Sequence, residues 1–548
     1  MDAYSGDLAF LPLGGTGEIG MNLNLYRCNG KWLAVDCGIG FGGSESPEVD
    51  VMMPDPAFLT ERRERLLGLV ITHAHEDHVG AVAHLWPQLR CPVYATRFAA
   101  AILRRKLGEA GLVNDVPIHV VAPGGAIDLP PFGLQYLPVS HSIPEAQALA
   151  IRTPHGAILH TGDWKLDRDP LIGAATDEAA FARFGEEGVL AVVCDSTNAM
   201  IDGTSGSEAE VRENLRQLIA RLRGRVAVTC FASNVARVES IALAARDAGR
   251  QVALVGRSLR NLDAAARECG YLREVPPFLT EDAANAIEDD ELLIIVTGSQ
   301  GEPRSALARI ASDTHPNIAL GEGDTVIFSS RQIPGNERAI LTVQDGLVRR
   351  GVRLITDDDE PVHVSGHPAR AELRTLYRLV RPKFSVPTHG EWRHLSAHAD
   401  LARSCGVTPI LLEDGDVLGL APGYPEVIDS APVGKLALDG NRTVPMNGGV
   451  LSARRRMLFN GIVLGSFAVD GAGHVLGRPR VSAPGLFEPD DPETARLAEE
   501  FREAVADLPA GLRQDDSALA DAARAALRRA LGRRLQKRPM VDVHLLRV

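Results

Sequence analysis

Short apolar runs separated by polar, glycine-rich loops set the rhythm of the first third of the chain. Residues 8–13, 31–36, 67–71, 132–137, 157–160 and 189–194 are mostly apolar, and polar or turn-forming residues follow each of them. Runs of this length, bounded in this way, predict buried β-strands. The loops behind such strands are where a layered α/β fold collects its chemistry. The rhythm changes near residue 207. Ser207-Glu208-Ala209-Glu210 reads as a capping box that starts a helix running to about residue 223. Strand-like runs at 226–231, 252–255, 292–296 and 325–329 then alternate with helical runs at 235–248 and 259–269, the pattern of a second α/β domain. The first pattern resumes near Pro361, so the second domain reads as an insertion. The expected boundaries are 1–206 and 356–420 for the two parts of the first domain, 207–355 for the insertion, a Pro/Gly-punctuated link at 421–455, and a small C-terminal module at 456–548. A helical run at 518–535 in that module carries Arg524, Arg528, Arg529, Arg533 and Arg534, with Lys537 and Arg538 beyond it. It is read either as an RNA contact or as a solvated or subunit-contacting face.

Composition narrows the class. A chain of 548 residues with 45% hydrophobic and 24% charged residues has the balance of a globular protein with more than one core. Neither a bilayer-length apolar run nor a basic segment leading into an apolar one is present, so no membrane span or secretion signal is expected. Seven scattered cysteines without a C-x-x-C pair read as reduced thiols in a cytoplasmic protein. The net charge of −13 argues against a nonspecific, charge-driven nucleic-acid binder. It leaves a nuclease open, because total charge says little about one cleft.

The segment Thr72-His73-Ala74-His75-Glu76-Asp77-His78 places three histidines and two acids directly behind an apolar strand. Imidazole nitrogens and carboxylate oxygens are the donors that zinc prefers. A pair of metals about 3.5–4 Å apart needs more ligands than one loop supplies. His141 in Pro138-Val139-Ser140-His141-Ser142, Asp163 in His160-Thr161-Gly162-Asp163 and His389 in Pro387-Thr388-His389-Gly390-Glu391 each follow a strand-like run and supply them. Asp195 closes another such run. The Gly14–Gly20 loop fits G-x-G-x-x-G, but a clear second βα unit with the ribose-binding acid is lacking, so it reads as a tight turn beside the metal loop. Glu76 reads either as the support of a neighbouring loop or as a surface acid.

These motifs resemble those of the metallo-β-lactamase superfamily, and the insertion with its returning histidines resembles the β-CASP branch. Phe231-Ala232-Ser233-Asn234, Thr297-Gly298-Ser299-Gln300-Gly301-Glu302-Pro303 and His363-Val364-Ser365-Gly366-His367 narrow the resemblance to the ribonuclease J family, over nearly the whole chain. The resemblance implies an α/β protein: an αββα sandwich, an inserted β-CASP α/β domain and a small C-terminal α+β domain. It implies two zinc ions, one held by His73, His75 and His141, the other by Asp77, His78 and His389, with Asp163 between them. Manganese suits the same donors. Asp195 would orient a ligand histidine. His367 is the candidate proton donor, so that Asp77, His78, Asp195 and His367 form the catalytic set. Ser233 and Ser365 would help form a pocket for a 5′-monophosphate. Asn234, His363 and His367 suit hydrogen bonds to phosphate, and Gly256-Arg257-Ser258 would add a cation or backbone donors. The implied activity is 5′-to-3′ exonuclease and endonuclease cleavage of RNA in mRNA decay and rRNA processing, leaving 5′-phosphate and 3′-hydroxyl ends. The implied partners are RNA with a 5′-monophosphate, a second copy or more in a homodimer or homotetramer, and an RNA-decay complex. The chain departs from the family at Ala236, where a histidine often follows Ser-Asn-Val.

Two other readings use the same residues. A thioesterase or lactonase on this scaffold shares the zinc motif but generally lacks the insertion and the 363–367 string. A non-catalytic RNA-binding subunit tends to lose metal ligands, and none of those named above is missing.

Overall fold

The apolar runs become strands close to their expected limits, among them Leu8–Gly14, Lys31–Val35, Leu66–Val70, Phe132–Pro138, Gly156–His160 and Val189–Asp195. The computed structural model describes residues 8–548 apart from 43–47, 334, 489 and 536, and leaves aside the side chains of 510, 533 and 534. The amino-terminal segment read for a secretion signal lies outside the described residues. The chain divides into two units, Met1–Leu438 and Asp439–Val548.

In the first unit two sheets stack face to face. Among the described residues the first has eight strands, ordered Glu426–Ser430, Asp416–Ala421, Leu8–Gly14, Leu23–Cys28, Lys31–Val35, Leu66–Val70, Val93–Ala95, Ile118–Val120. The second has seven and includes Phe132–Pro138, Gln147–Thr153, Gly156–His160, Val189–Asp195 and Phe384–Thr388 as successive neighbours. Side chains alternate between the faces of a strand, and the Leu8–Gly14 strand shows both faces at work. Leu8 and Phe10 join Tyr136, Ile151 and Val193 between the sheets. Ala9, Leu11 and Leu13 point the other way, into the cluster that includes Leu85 and Leu103 of helices Val82–Leu89 and Arg97–Glu109. On the far side Leu159, Val192 and Cys194 meet Phe181, Phe184, Leu376 and Leu401 from helices Glu178–Glu186, Arg370–Val380 and Trp392–Ser404. Helix, sheet, sheet, helix is the expected αββα sandwich.

The insertion forms its own sheet of five parallel strands, ordered Gln251–Val255, Leu292–Val296, Val226–Thr229, Thr325–Phe328, Arg353–Ile355. The order reverses around Val226–Thr229. In open parallel sheets ligands bind outside the carboxyl ends of strands at such a point. The segments that leave those ends carry Ser233 and Asn234, the 297–303 string, and Arg331. Ser207 caps helix Glu208–Arg221 as its sequence predicts, its Oγ accepting from Ala209 N at 3.2 Å. Asp167 completes the cap where Glu210 was expected to: it accepts from Ser207 Oγ at 2.8 Å and from Glu208 N at 3.2 Å.

The stretch read as a link, 421–455, is structured for much of its length. Pro422 and Gly423 turn a hairpin between Asp416–Ala421 and Glu426–Ser430, and strand Lys435–Asp439 pairs with Val51–Pro54. Proline and glycine here mark a turn at a sheet edge, where a missing N–H costs nothing. In the second unit, strands Val475–Ser482, Ile462–Val469 and Met540–Arg547 form a sheet whose Val463 and Phe467 pack on Phe501 and Leu527 of helices Pro492–Ala506 and Asp516–Leu535, an α+β module. The second of these is the basic helix. Leu519, Ala523, Leu527 and Leu531 are buried, Arg528 and Arg529 are exposed, and Arg524 pairs with Asp521 and Asp542. Arg533 and Arg534 lie outside the described side chains.

Near the Asp416–Ala421 strand, Asp414 accepts from Thr16 N at 3.0 Å. Burial, with the Glu18 carboxylate nearby, lifts its pKa to about 8. The folded state therefore holds this proton more tightly than the unfolded chain does. The resulting stabilisation is complete below about pH 4 and is lost as pH rises through about 8. Asp414→Asn keeps the acceptor without the charge. Melting curves from pH 5 to 9 are expected to show the variant gaining on the parent as pH rises; parallel curves would refute the assignment.

Candidate metal centre

Every residue of the metal motif leaves a strand at the same edge of the sandwich. His73 and His75 follow Leu66–Val70, and Asp77 and His78 lie on the single turn Glu76–Val79. His141 follows Phe132–Pro138, Asp163 follows Gly156–His160, Asp195 ends Val189–Asp195, and His389 follows Phe384–Thr388. The last three strands run parallel, which carries their ends to one line. Gly38 lets the first loop close on this edge: a Cβ there would lie 1.7 Å from Asp77 O.

Three overlapping groups result: His73, His75, His141 and Asp163; Asp77, His78, Asp163 and His389; and Asp163, Asp195, His367 and His389. Within each, the candidate ligand atoms lie within 4.8 Å of one another. Asp163 belongs to all three. Its oxygens stand 3.2 Å from His78 Nε2, 3.7 Å from His141 Nε2 and 3.8 Å from the Nε2 atoms of His73 and His389.

Hydrogen bonds on the outer side of the rings decide what points inward. Asp36 accepts from Thr72 N at 2.8 Å, from Thr72 Oγ1 at 2.8 Å and from His78 Nδ1 at 2.7 Å. Because Thr72 gives its proton to Asp36, its oxygen accepts from His73 Nδ1 at 3.0 Å. His141 Nδ1 donates to Gly366 O at 2.6 Å, an approach that a Cβ on Gly366 would block at 2.8 Å from the ring. Thr197 Oγ1 donates to Asp195 Oδ1 at 2.7 Å and accepts from His389 Nδ1 at 2.9 Å. Four rings thus spend their Nδ1 protons outward and present Nε2 inward.

This arrangement fits a metal. His75 Nδ1 lies 3.0 Å from His73 Nε2 and 2.9 Å from His141 Nε2, so nitrogens of three imidazoles crowd together, with the lone pairs of His73 and His141 turned inward. Burial and the crowding of neighbouring imidazoles push His73 and His141 well below the usual imidazole pKa, and burial takes His75 to about 4, which keeps these rings neutral. Asp163 turns Oδ2 toward His73 and His141, and its buried Oδ1, which lies nearest His78 and His389, has no hydrogen-bond partner. At His78 burial also works against the proton, but Asp163, Asp77 and Asp36 outweigh it and raise the pKa well above its usual value. Asp163 and its neighbouring acids raise His389 in the same way, so positive charge gathers against these carboxylates on one side while neutral imidazoles face Asp163 on the other, a donor set that suits divalent cations.

His367 Nδ1 donates to Asp195 Oδ2 at 2.8 Å, which leaves Nε2 free on a partly exposed ring. Ser365 Oγ accepts from Asn198 Nδ2 at 2.8 Å and from His367 N at 3.2 Å, so its own proton is available to another oxygen. Asn234 is taken up inside the fold. Its Oδ1 caps helix Val235–Asp247 by accepting from Arg237 N at 2.9 Å, and its Nδ2 donates to Glu208 at 3.1 Å. Ser233 stands half-buried just ahead of that cap, and Ala236 lies in the first turn. His363 is held well below the usual imidazole pKa by burial and by Arg237, Arg331 and Lys165. Arg257 and Ser258 are exposed in the first turn of helix Arg257–Cys269, capped by Gly256. The Glu76 carboxylate is bound by Lys106 Nζ at 2.6 and 2.7 Å, which ties the metal loop to helix Arg97–Glu109.

The sequence reading passed over three residues. Asp36 follows a strand whose last four residues are buried, and an acid in that place is the available signal. Asn198, three residues past Asp195, donates from Nδ2 to Ser365 Oγ and to the His367 carbonyl. Arg331, exposed and outside the sequence motifs named above, donates to Asn198 Oδ1 at 2.8 Å.

Comparison with known proteins places the chain in a family. Family models match in four places: a beta-lactamase superfamily domain at 31–184, the beta-CASP domain of ribonuclease J at 223–347, a Zn-dependent metallo-hydrolase RNA specificity domain at 360–411, and the ribonuclease J C-terminal domain at 449–548. A ribonuclease J from Sinorhizobium meliloti is 46% identical over 554 aligned positions, covering 100% of this chain and 98% of that protein. The ribonuclease J of Mycolicibacterium smegmatis is 40% identical, covering 98% of this chain and 96% of its own. A crystal structure of a protein of unknown function from Enterococcus faecalis superposes with a TM-score of 0.51 at 17% identity, over 76% of this chain and 100% of that one, a likeness of fold.

Proposed function

This chain belongs to the ribonuclease J family and is a metal-dependent ribonuclease, and on that premise we propose that it binds two zinc ions and degrades RNA from a 5′-monophosphate end, 5′ to 3′, while also cutting internally. The convergence of inward-facing imidazole nitrogens on Asp163 carries the two-metal reading. His73, His75 and His141 would hold one ion, Asp77, His78 and His389 the other, and Asp163 would stand between them. Manganese satisfies the same donors. Such a pair, when bound, supplies Lewis acidity that acidifies water and offsets charge growing on a phosphodiester.

The remaining steps belong to side chains. Water adds to phosphorus, the bond from phosphorus to the 3′-oxygen breaks, and that oxygen takes a proton. The products carry a 5′-phosphate and a 3′-hydroxyl. His367, oriented by Asp195, has Nε2 free for the leaving oxygen. The complete ligand set favours catalysis over a purely RNA-binding role.

The end pocket draws on Ser233, His363 and Ser365, where the Ser365 hydroxyl, which accepts two bonds, would give its proton to a phosphate oxygen; Asn234 contributes by capping the helix behind Ser233. RNA bearing a 5′-monophosphate is expected to be degraded faster than the same RNA with a 5′-triphosphate. Ser365→Ala should shrink that preference about tenfold, the worth of a hydrogen bond to a charged group. Initial rates on end-labelled RNA measure it, and equal wild-type rates on the two ends would remove the pocket. Mononucleotide release marks exonuclease action, and discrete fragments mark internal cutting.

The proposal extends to setting and assembly. The cysteines stand as free thiols, which supports a reducing, cytoplasmic environment, and no helix among the described residues is long and apolar enough to cross a membrane. In the C-terminal sheet Leu476 and Leu546 flank Ala468 on adjoining strands and are exposed, which supports contact between copies in a homodimer or homotetramer, and a place in an RNA-decay complex.

A further inference from the structure

Four charged side chains lie almost fully buried where the inserted domain leaves the sandwich: Lys165, Asp167, Glu208 and Arg237, none more than 4% exposed. Burying ions costs several kcal/mol each unless every partner is supplied, and apolar residues of similar size would often serve stability as well. Such a group therefore calls for a geometric reason.

Its bonds run in one direction, from the metal edge to the end pocket. Lys165 N donates to Ser140 O at 2.8 Å, beside the ligand His141. The Lys165 ammonium then meets Asp167 Oδ2 at 3.2 Å and Gly206 O at 3.1 Å. Asp167 holds Ser207 and Glu208, the first turn of the insertion's first helix. Glu208 takes two bonds from Arg237, at 3.1 and 2.9 Å, and one from Asn234, the residue after Ser233. Arg237 Nη1 reaches Ser329 O at 2.8 Å and Val362 O at 3.0 Å, next to His363.

We propose that the Glu208–Arg237 pair is a positioning device: it holds the loops of Ser233 and His363 to each other and, through Asp167 and Lys165, at a set distance from the metal edge. Arg237 reaches three separate segments with one rigid, planar group, which a lysine ammonium cannot reproduce. The inference rests on the reading of those loops as the 5′-end pocket. Its consequence is selective. Loss of the pair should let the pocket drift relative to the metals, which harms substrates anchored by their 5′ phosphate and spares those that are not.

The test is Arg237→Lys in the full chain loaded with zinc, assayed on one RNA carrying either a 5′-monophosphate or a 5′-hydroxyl. The 5′-monophosphate rate is expected to fall about tenfold, mainly through KM, with the 5′-hydroxyl rate within about twofold of wild type. Should Arg237→Lys fail to fold, Glu208→Leu combined with Arg237→Met removes both charges together and is expected to keep the melting temperature while losing the same preference. An equal fall on both RNAs means that the pair only stabilises the fold, and an unchanged preference means that it positions nothing; either overturns the inference while the pocket stands. If wild type itself shows no preference for the 5′-monophosphate, the pocket reading fails and this inference fails with it.

Discussion

Asp163→Asn is expected to lower RNA cleavage by on the order of a hundred- to a thousandfold, the scale seen when one preorganised electrostatic group is lost from a catalytic centre. The substitution keeps the shape of the side chain and removes its charge. Asp163 is the one side chain common to all three candidate ligand groups, with His78 3.2 Å away. An amide in its place offers one weak oxygen donor where two ions would share a carboxylate, and its NH2 group points at nitrogen lone pairs or at a cation. Metal content should fall with activity. Elemental analysis of the purified variant beside single-turnover cleavage of labelled RNA checks both. Near-normal cleavage with full metal would mean that the centre has been assigned to the wrong residues.

Asp36→Asn should cost about ten- to a hundredfold in metal affinity or activity, the usual effect of removing the partner that orients a ligand histidine. The reason is tautomeric. Asp36 only accepts, so His78 must carry its proton on Nδ1 and keep Nε2 for a metal. An asparagine presents an N–H to one of the partners that the carboxylate now accepts from. Turned toward Nδ1, that N–H favours the tautomer with the proton on Nε2, which blocks the ligand atom. The Thr72 hydroxyl, which relays the same acid to His73, loses its direction as well. Zinc titration against a competing chelator gives the affinity, and a thermal melt separates this loss from unfolding. Unchanged affinity would show that the tautomer of His78 is set elsewhere.

Asp36 also shows where sequence reasoning stops. His73, His75, Asp77 and His78 could be read together because one loop holds all four, and their chemistry has few uses other than metal binding. His141, Asp163 and His389 were legible because each follows an apolar run. Asp36 ends such a run too, yet nothing in the linear order says that its strand lies beside Leu66–Val70, where its carboxylate meets Thr72 and His78. Asn234 went the other way. Beside Ser233 it read as a phosphate contact, whereas the helix that starts behind it takes up its amide. The link at 421–455 was misread for a related reason, since proline and glycine mark a tight hairpin turn as readily as an open linker, and only the neighbouring strand distinguishes them.

By itself the sequence determined the local facts: which segments become strands and helices, that an α/β domain interrupts another, and which side chains are donors for a metal. Period and composition decide these over a few residues, and long-range contacts only confirm them. Tertiary structure alone decided which nitrogen of four imidazoles faces the centre, that Asp163 stands among all the candidate ligands, and that Arg237 is buried with three segments in its grasp. Those outcomes depend on strand order and on hydrogen bonds between residues up to hundreds of positions apart, such as Thr197 with His389. Proton placement in a buried site follows from the partners that folding assembles, and the order of residues along the chain does not specify them.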